Sequence, residues 1–381
     1  MTRIKGLSLF SNVGVAEAYL ESIGVDIVVA NELVKERAEF YQHLYPKTEM
    51  ICGDITSDEI RAKIVEKSIS KGVDFILATP PCQGMSRHGK RDPNDERNYL
   101  IIYAVDVIKK IKPKFILLEN VTKILVTKIT VNDITMHIPD YLIQELGNDY
   151  IIYDDNIFNA EDYGVPQSRS RCIIRMVRKD LKIIWARPEI QEKITLKDAI
   201  GHLPSLDPLI REKNMRDFFP EYEIKKEQGL KVSKWHYPPT HSWNHVLWMT
   251  NTPSGKTAFY NDVYYPQKKD GTRIIGRLSC YRRYSWDKPA NTITQNNGVI
   301  SSACCVHPGR EIKTPDGKTL YSDARVLTIY ELLIVTSLPT DWNIPDWADE
   351  RLIRNVIGEG IPPLMIKAIV SKLINEISKG V

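Results

Sequence analysis

The residue best suited to covalent chemistry is Cys82, in the segment Ala78-Thr79-Pro80-Pro81-Cys82-Gln83-Gly84-Met85-Ser86. An apolar run precedes this segment, so the cysteine follows a buried strand, and two prolines of fixed φ hold it on a rigid turn. A free thiol has a pKa of about 8.5, so a nucleophilic role needs a positive or polar environment. Candidates for that environment are Arg87, Arg169 and Arg171. An isolated cysteine is more often a buried structural residue, but Pro-Pro-Cys-Gln-Gly after a strand favours a nucleophile.

Glu119 is a candidate acid because it ends a second apolar run and precedes Asn120-Val121. Burial raises the pKa of a carboxyl group, and a carboxyl that holds a proton near neutral pH can donate to a heterocycle nitrogen. The alternative is a strand-end carboxylate that caps the next helix. Taken alone, the local sequence does not separate these two roles.

Two arginines two residues apart, Arg169 and Arg171, lie in Gln167-Ser168-Arg169-Ser170-Arg171 and lead into another apolar run. Alternation along a strand would make both side chains point the same way. Their planar guanidinium groups suit carbonyl oxygens and phosphates. An exposed basic turn is the alternative interpretation.

The first strand ends indicate a cofactor site. Leu9–Gly14 joins a strand to an expected helix, whose N-terminal N–H groups could bind polar groups of a cofactor. Glu32 follows the second strand, about 20 positions further on, where an acidic residue suits ribose hydroxyls. Asp54 follows a third strand and suits an adenine amino group. Either acid alone is more often a helix cap.

Strands and helices that alternate along the first 175 residues must position these groups, and this pattern predicts a parallel α/β sheet. The expected strands are Ile4–Phe10, Asp26–Ala30, Phe75–Ala78, Phe115–Leu118 and Cys172–Val177. The expected helices are Gly14–Ile23, Leu33–Tyr41, Tyr99–Lys110 and Tyr141–Gly147. Ligands bind beyond the carboxyl ends of such strands, so one pocket could collect the residues above.

The second half of the chain has a different texture. Regular alternation fades after residue 190, and Lys231 to Trp286 interleaves aromatic residues and histidine with lysine and arginine. Helical patterning returns in Thr328–Ser337 and Leu364–Ile377. We therefore expect residues 1–190 and 326–381 to form one domain and residues 191–325 to form a loop-rich second domain.

The composition is that of an ordinary globular protein, with 43% hydrophobic and 26% charged residues in 381. A net charge of +4 only weakly favours a polyanionic partner, because local fields steer nucleic acids. The six cysteines show no CxxC spacing, so no metal site is expected. The chain shows neither a signal-peptide core nor an apolar run long enough to span a membrane, so we expect a reducing cytoplasm.

Six segments, in this order, resemble the DNA cytosine-5 methyltransferase family. They are Leu9–Gly14, Ala78–Ser86, Glu119–Val121, Gln167–Arg171, Arg283–Thr294 and Gly358–Pro363. The family usually has glycines where Asn12 and Val15 stand, and commonly has asparagine at the position of Glu359. Thr79 and Met85 replace the commoner glycine and phenylalanine.

The resemblance implies a Rossmann-like α/β methyltransferase fold, with a mixed sheet, helices on both faces and a smaller target-recognition domain. It implies S-adenosylmethionine as methyl donor, held by Phe10, Ser11, Gly14, Glu32, Asp54, Ile55, Pro80, Leu100 and Glu359. It also implies that the Cys82 thiolate adds to C6 of a flipped-out cytosine. Glu119 would then contact N3 and the exocyclic amine, and Arg171, beside Arg169, would hold O2.

Double-stranded DNA is the partner that the resemblance implies. Contacts are expected from Gln83, Ser86, Arg87, Arg97, Arg283 and Thr294, and phosphate contacts from Lys268, Lys269, Arg273 and Arg277. The segment from Gln83 to Arg97 is expected to close on the DNA. A compact chain of this kind resembles a prokaryotic modification enzyme that acts as a monomer and is paired with a restriction endonuclease.

Three alternatives remain open on the sequence. A cytosine-5 methyltransferase of transfer RNA has the same chemistry, but the long second domain and Pro-Cys-Gln-Gly-Met-Ser favour DNA. A catalytically inactive DNA-binding relative should show drift at Cys82, Glu119 and Arg171, and all three are intact. A redox or NAD-dependent enzyme is disfavoured because GxGxxG and CxxC are absent.

Overall fold

A computed structural model describes residues 3–81, 96–268, 270–274 and 276–379. In the first half, the strands are β1 (Ile4–Leu9), β2 (Val25–Glu32), β3 (Glu49–Cys52), β4 (Phe75–Ala78), β5 (Phe115–Asn120), β6 (Lys128–Val131), β7 (Ile134–His137), β8 (Tyr150–Ile152), β9 (Ile157–Asn159), β10 (Gln167–Ser168) and β11 (Ser170–Arg178). The helices there are α1 (Lys35–Leu44), α2 (Asp58–Lys71), α3 (Leu100–Ile111) and α4 (Ile138–Leu146).

The second half has shorter strands and more helices. Its strands are β12 (Leu209–Ile210), β13 (Thr240–His241), β14 (Ala290–Asn291), β15 (Glu311–Lys313) and β16 (Thr319–Tyr321). Its helices are α5 (Leu196–Ile200), α6 (Tyr222–Val232), α7 (Trp243–Thr250), α8 (Ile329–Val335), α9 (Glu350–Glu359) and α10 (Pro363–Lys379). No helix in the described part of the chain is long and apolar enough to cross a membrane.

One eight-stranded sheet forms the centre of the molecule, in the order β3-β2-β1-β4-β5-β11-β8, with β9 also paired to β11. Strands β1 to β5 run parallel to one another, and β11 runs antiparallel to β5. This arrangement confirms the expected mixed α/β sheet. Because parallel strands end at the same edge, the residues that follow β1 to β5 share one side of the sheet.

Alternation within the central strands assigns their side chains to two faces. Ile76 and Ile116 belong to a core that also contains residues of α2, α3 and α4. Their neighbours Phe75 and Leu117 belong to a second core, on the opposite face, which includes Met365 and other residues of α10. The last helix of the chain therefore packs on the sheet built by the first residues.

The expected helix over Gly14–Ile23 is wrong. Residues 13–20 form successive turns, closed by bonds such as Gly14 N–H to the Ser11 carbonyl, and only Glu21–Ile23 form a short 3-10 helix. Gly14 has a φ of +80°, which a right-handed helix does not allow. The spacing of the apolar residues resembles that of a helix with one buried face, but these residues belong to two cores. Val13 and Val15 pack in one core, and Ala16 and Leu20 pack in the other.

Candidate active site

The carboxyl edge of the sheet brings together the residues singled out in the sequence. Phe10 and Ser11 follow β1, Glu32 ends β2, Asp54 and Ile55 follow β3, Pro80 follows β4, and Glu119 lies near the end of β5. The neighbouring order β3-β2-β1-β4-β5 places these strand ends side by side. Cys82, Gln83, Ser86 and Arg87 lie outside the described residues.

Glu119 and Arg171 form a shielded ion pair. Glu119 is 7% exposed, and Arg171 Nε lies 3.0 Å from its Oε1. Burial raises the pKa of Glu119, while the charges of Arg171 and Arg169 act in the opposite direction. The pair forms because β11 runs antiparallel to β5, with Ile173 opposite Glu119. The pair places a buried carboxyl group, whose pKa is raised by burial, beside a cation at the end of β5.

Asn120 anchors the beginning of the cysteine segment, a contact that the sequence had not indicated. Its Nδ2 donates to the Pro80 carbonyl at 3.0 Å, and its Oδ1 accepts from the Val121 N–H at 2.8 Å. On the other side, the Thr79 hydroxyl donates to the Phe10 carbonyl at 3.0 Å. The chain that leads to Cys82 is therefore fixed both to the Glu119 strand and to the turn after β1.

The buried Arg169 side chain forms hydrogen bonds with the backbone of distant segments. It is 3% exposed, and its guanidinium donates to the carbonyls of Ile293, Gly358 and Glu359 at 2.7, 3.0 and 3.1 Å. In the described residues Arg169 therefore binds backbone, and its expected catalytic role is not supported by these contacts. Arg169 instead joins two segments that are distant in sequence, and its charge still acts on Glu119.

The turn after β1 has an unusual backbone. Phe10, Asn12 and Gly14 have φ values of +59°, +50° and +80°. At Gly14 a Cβ would overlap the Tyr45 ring and lie 2.9 Å from Tyr41 Cε2, so only glycine fits. Tyr45 closes the turn by donating its hydroxyl to the Gly14 carbonyl at 2.6 Å. The shape of this turn therefore depends on glycine at position 14.

Glu32 joins this turn to the second strand. Its carboxylate accepts the backbone N–H groups of Asn12 and Val34, each at 2.9 Å. Asp54, by contrast, is exposed and accepts the Thr56 N–H at 2.9 Å. Glu32 therefore joins two segments that are 20 residues apart, and Asp54 caps the backbone that directly follows it.

The remaining cofactor candidates contribute apolar and backbone surface. Ser11 is buried and donates its hydroxyl to the Asn31 carbonyl at 3.2 Å. Ile55 lies in the core beside α2 and α3, and Leu100 begins α3 and packs against that same core. Ile55 and Leu100 therefore make the surface beneath this edge of the sheet apolar.

Glu359 is held by three side chains from different parts of the chain. Arg37 contacts both of its carboxylate oxygens, at 2.9 and 3.0 Å, and Asn12 Nδ2 donates to it at 2.9 Å. Gln295 also donates to Glu359. Among the described residues no donor meets the buried Asn12 Oδ1. Buried acceptors normally receive a hydrogen bond, so Asn12 Oδ1 is a candidate contact for a polar ligand.

A buried carboxyl lies beneath the turn and was missed in the sequence. Glu17 is 4% exposed and accepts a hydrogen bond from the Ser8 hydroxyl at 2.5 Å. Burial raises the pKa of Glu17 to about 7, although the Ser8 contact acts in the opposite direction.

Arg283 is not available to DNA in this structure, which corrects the expected contact. It is 1% exposed and donates to the carbonyls of Met249 and His307, at 2.8 and 2.7 Å, among others. Arg273, by contrast, is exposed, although it donates to the carbonyls of Phe259 and Asn261 and stacks 3.6 Å from the centre of the Tyr265 ring. Both arginines stabilise loops of the second half of the chain.

Other expected DNA contacts lie at or near the surface. Arg97 is exposed in the short 3-10 helix before α3, and Thr294 is half-buried beside Gly358. Lys268 and Arg277 are exposed, and the same region exposes Tyr260, Val263 and Leu278. Lys269 is outside the described residues.

Comparison with known proteins identifies the family. The model of the C-5 cytosine-specific DNA methylase family matches residues 4–375. The chain is 46% identical over 378 residues to Type II methyltransferase M1.HgaI of Avibacterium volantium, covering 98% of this chain and 99% of that protein. The chain therefore belongs to the C-5 cytosine-specific DNA methylases, which confirms the resemblance read from its motifs.

More distant relatives agree with this assignment. Type II methyltransferase M.XorII of Xanthomonas oryzae is 26% identical and covers 100% of this chain and 86% of that protein. The crystal structure of a protein described as a DNA modification methyltransferase, encoded within an E. coli prophage, superposes with a TM-score of 0.67. It covers 98% of this chain and 99% of that one, and at 20% identity it supports the fold alone.

Proposed function

We propose that this enzyme transfers a methyl group from S-adenosylmethionine to C5 of a cytosine within a specific sequence of double-stranded DNA, through a covalent bond between Cys82 and C6. The observation that carries the proposal is the buried Glu119–Arg171 pair at the end of β5. Asn120, the next residue, holds the Pro80 carbonyl, two residues before Cys82. The acid and the cation therefore lie at the strand edge to which Pro80, two residues before Cys82 in the sequence, is anchored.

The roles of these groups follow from the chemistry of cytosine. C5 is a weak nucleophile because its electrons are delocalised in the ring. Addition of the Cys82 thiolate to C6 removes this delocalisation, and a proton from Glu119 to N3 neutralises the charge that develops. Arg171 is charged and fixed, so it suits the O2 oxygen of the base. After methylation, loss of the C5 proton allows Cys82 to leave.

The residues around the β1 turn fit S-adenosylmethionine, which supplies the methyl group when bound. We assign Glu32, whose carboxylate accepts the Asn12 N–H, to the ribose hydroxyls, and we assign Asp54, exposed after the third strand, to the adenine amino group. Phe10, Ser11, Gly14, Ile55, Pro80 and Leu100 complete the proposed site, and Glu359 supports it through its contact with Asn12. In this proposal, the chain positions the cofactor and shields it from water.

DNA would bind across the carboxyl edge of the sheet, with the cytosine turned out of the stack at a cost of about a few kcal/mol. The proposed contacts in the described region are Arg97, Thr294, Lys268 and Arg277. Exposed Tyr260, Val263 and Leu278 provide apolar surface beside these cations. Gln83, Ser86 and Arg87 would join them from the cysteine segment, and residues 191–325 would form the recognition domain opposite residues 1–190 and 326–381.

The biological role that we propose is modification of cellular DNA in the cytoplasm of a prokaryote, in partnership with a restriction endonuclease. The support is the naming of the relatives as Type II methyltransferases. Expression in a host without DNA methylation, followed by bisulfite sequencing, would give the target sequence. A genome without new 5-methylcytosine would contradict the proposal.

The covalent step is tested with Cys82→Ser. We expect loss of methyl transfer to duplex DNA with DNA affinity largely kept, because the hydroxyl is a much weaker nucleophile than a thiolate. DNA that contains 5-fluorocytosine should form a denaturant-stable adduct with the wild type and none with Cys82→Ser. Cys52→Ser, a change at an exposed cysteine, is the control and should form the adduct normally.

Substrate class is tested in the same assay. Labelled methyl donor is offered with duplex DNA and, separately, with bulk transfer RNA. Transfer to RNA alone would contradict the DNA proposal. Full methylation activity of Cys82→Ser would instead overturn the covalent mechanism.

A further inference from the structure

Two of the positions at which the proposed cofactor segments depart from the family's usual residues contact each other. Asn12 stands where the family usually has glycine, and Glu359 stands where it commonly has asparagine. They are far apart in sequence, yet Asn12 Nδ2 donates to Glu359 Oε2 at 2.9 Å. Val15 stands at another usual glycine and packs closely on Gly360, where a Cβ would lie 2.6 Å from Val15 Cγ1. The side chains that depart from the family's usual residues therefore lie at one contact between the β1 turn and the segment at Glu359 and Gly360.

The charge of Glu359 determines which way the Asn12 amide faces. A carboxylate has only acceptor oxygens, so it must receive the NH₂ end of the amide. Arg37 contacts both carboxylate oxygens, and its side chain is 26% exposed while that of Glu359 is 19% exposed. This two-pronged pair is geometrically specific and keeps the carboxylate in place. The carbonyl end of the Asn12 amide must then face the other way.

The carbonyl end, Oδ1, is buried and meets no donor among the residues that the structure describes. A buried acceptor without a partner costs about 1–3 kcal/mol, so such groups normally find a donor. The backbone N–H of Asn12 is already bound to Glu32, the residue proposed for the ribose. A ligand seated on this turn would bring hydroxyl or ammonium donors beside Oδ1.

We propose that Asn12 is a cofactor-binding residue whose Oδ1 accepts a hydrogen bond from a hydroxyl or ammonium group of the cofactor. Glu359 and Arg37 are positioning residues that orient the amide. This inference rests on the proposed function, since it assumes a cofactor on the β1 turn. It also assigns Glu359 a role through Asn12 rather than a direct cofactor contact.

Asn12→Gly is the principal test, because glycine adopts a φ of +50° without strain and only the side chain is lost. Calorimetric titration with S-adenosylhomocysteine should show affinity about tenfold weaker than that of the wild type. The KM for S-adenosylmethionine should rise similarly while kcat is kept. Unchanged affinity for S-adenosylhomocysteine would overturn the proposal.

Glu359→Gln tests the positioning role, because a neutral amide can either donate to Asn12 or accept from it. The variant should bind S-adenosylhomocysteine more weakly than the wild type. In the Asn12→Gly background the same substitution should have no further effect, because both act through one amide. Additive losses would overturn the positioning role. Glu145→Gln, at a surface pair with Lys109, is the matched control and should leave affinity unchanged.

A second ligand identifies the donor. Methylthioadenosine has the ribose but lacks the amino-acid group, so Asn12→Gly should weaken its binding only if the donor is a ribose hydroxyl. Weakening confined to S-adenosylhomocysteine would identify the ammonium. A wild-type protein that binds neither ligand would contradict the proposed function itself, whereas wild-type binding that Asn12→Gly does not change would contradict this inference alone.

Discussion

Glu17 should make this enzyme less stable as the pH rises. The substitution Glu17→Gln should remove this dependence. The carboxyl is buried beneath the turn after β1 and accepts a hydrogen bond from the Ser8 hydroxyl. Its pKa is about 7 in the folded protein, against 4.5 in an unfolded chain. Burial disfavours the charged form, so the folded protein binds this proton more tightly than the unfolded chain does.

This difference in pKa between the folded and unfolded states makes the free energy of unfolding depend on pH. A raised folded pKa contributes stability that is fully present below pH 4.5 and is lost as the pH rises through about 7. One pKa unit corresponds to about 1.4 kcal/mol, so the loss between about pH 4 and about pH 8 is about 3 kcal/mol. Glu17→Gln keeps an acceptor for the Ser8 hydroxyl but cannot ionise, so it should lack this loss.

Urea unfolding of the wild type and Glu17→Gln at about pH 4 and about pH 8 measures the effect. The variant should gain about 3 kcal/mol relative to the wild type over this interval. Other titrating groups cancel in the comparison because both proteins share them. Glu36→Gln, at an exposed glutamate of α1, is the control and should follow the wild type. A constant difference between Glu17→Gln and wild type at all pH values would refute the reasoning.

Two further substitutions test the site and its support. Glu119→Gln removes the proton that the buried acid would donate, so single-turnover methyl transfer to duplex DNA should slow by about 10²–10⁴-fold; a rate within about threefold of wild type would exclude a role as acid. Gly358→Ala places a Cβ 2.5 Å from the Thr294 carbonyl carbon, where backbone must move, and thermal or urea unfolding should show a loss of about 2 kcal/mol. Gly298→Ala, whose Cβ meets only the Arg354 side chain at 3.1 Å, should cost clearly less, and equal costs would contradict the packing argument.

Much of the fold could be predicted because its elements are encoded locally. Apolar runs such as Phe75–Ala78 and Phe115–Leu118 match β4 and β5 closely, since a strand buried on both faces is continuously apolar. Periodicity also located α3 and α10 within a few residues. It failed at Gly14–Ile23, where a positive φ and two separate cores replace a helix with turns, and it did not predict α2 or α9.

The sequence by itself determined which residues could take part in the reaction. They are a cysteine after two prolines, a carboxylate at a strand end and arginines before another strand. These are local patterns, and their order along the chain led to the correct family. Only the tertiary structure decided which long side chain serves which purpose. Arg171 forms an ion pair with Glu119, while Arg169 and Arg283 donate hydrogen bonds to backbone carbonyls. Glu359 finds Asn12 and Arg37 because two distant segments pack together. A long charged side chain takes whatever partner the packed fold brings within reach, and sequence spacing does not encode that partner.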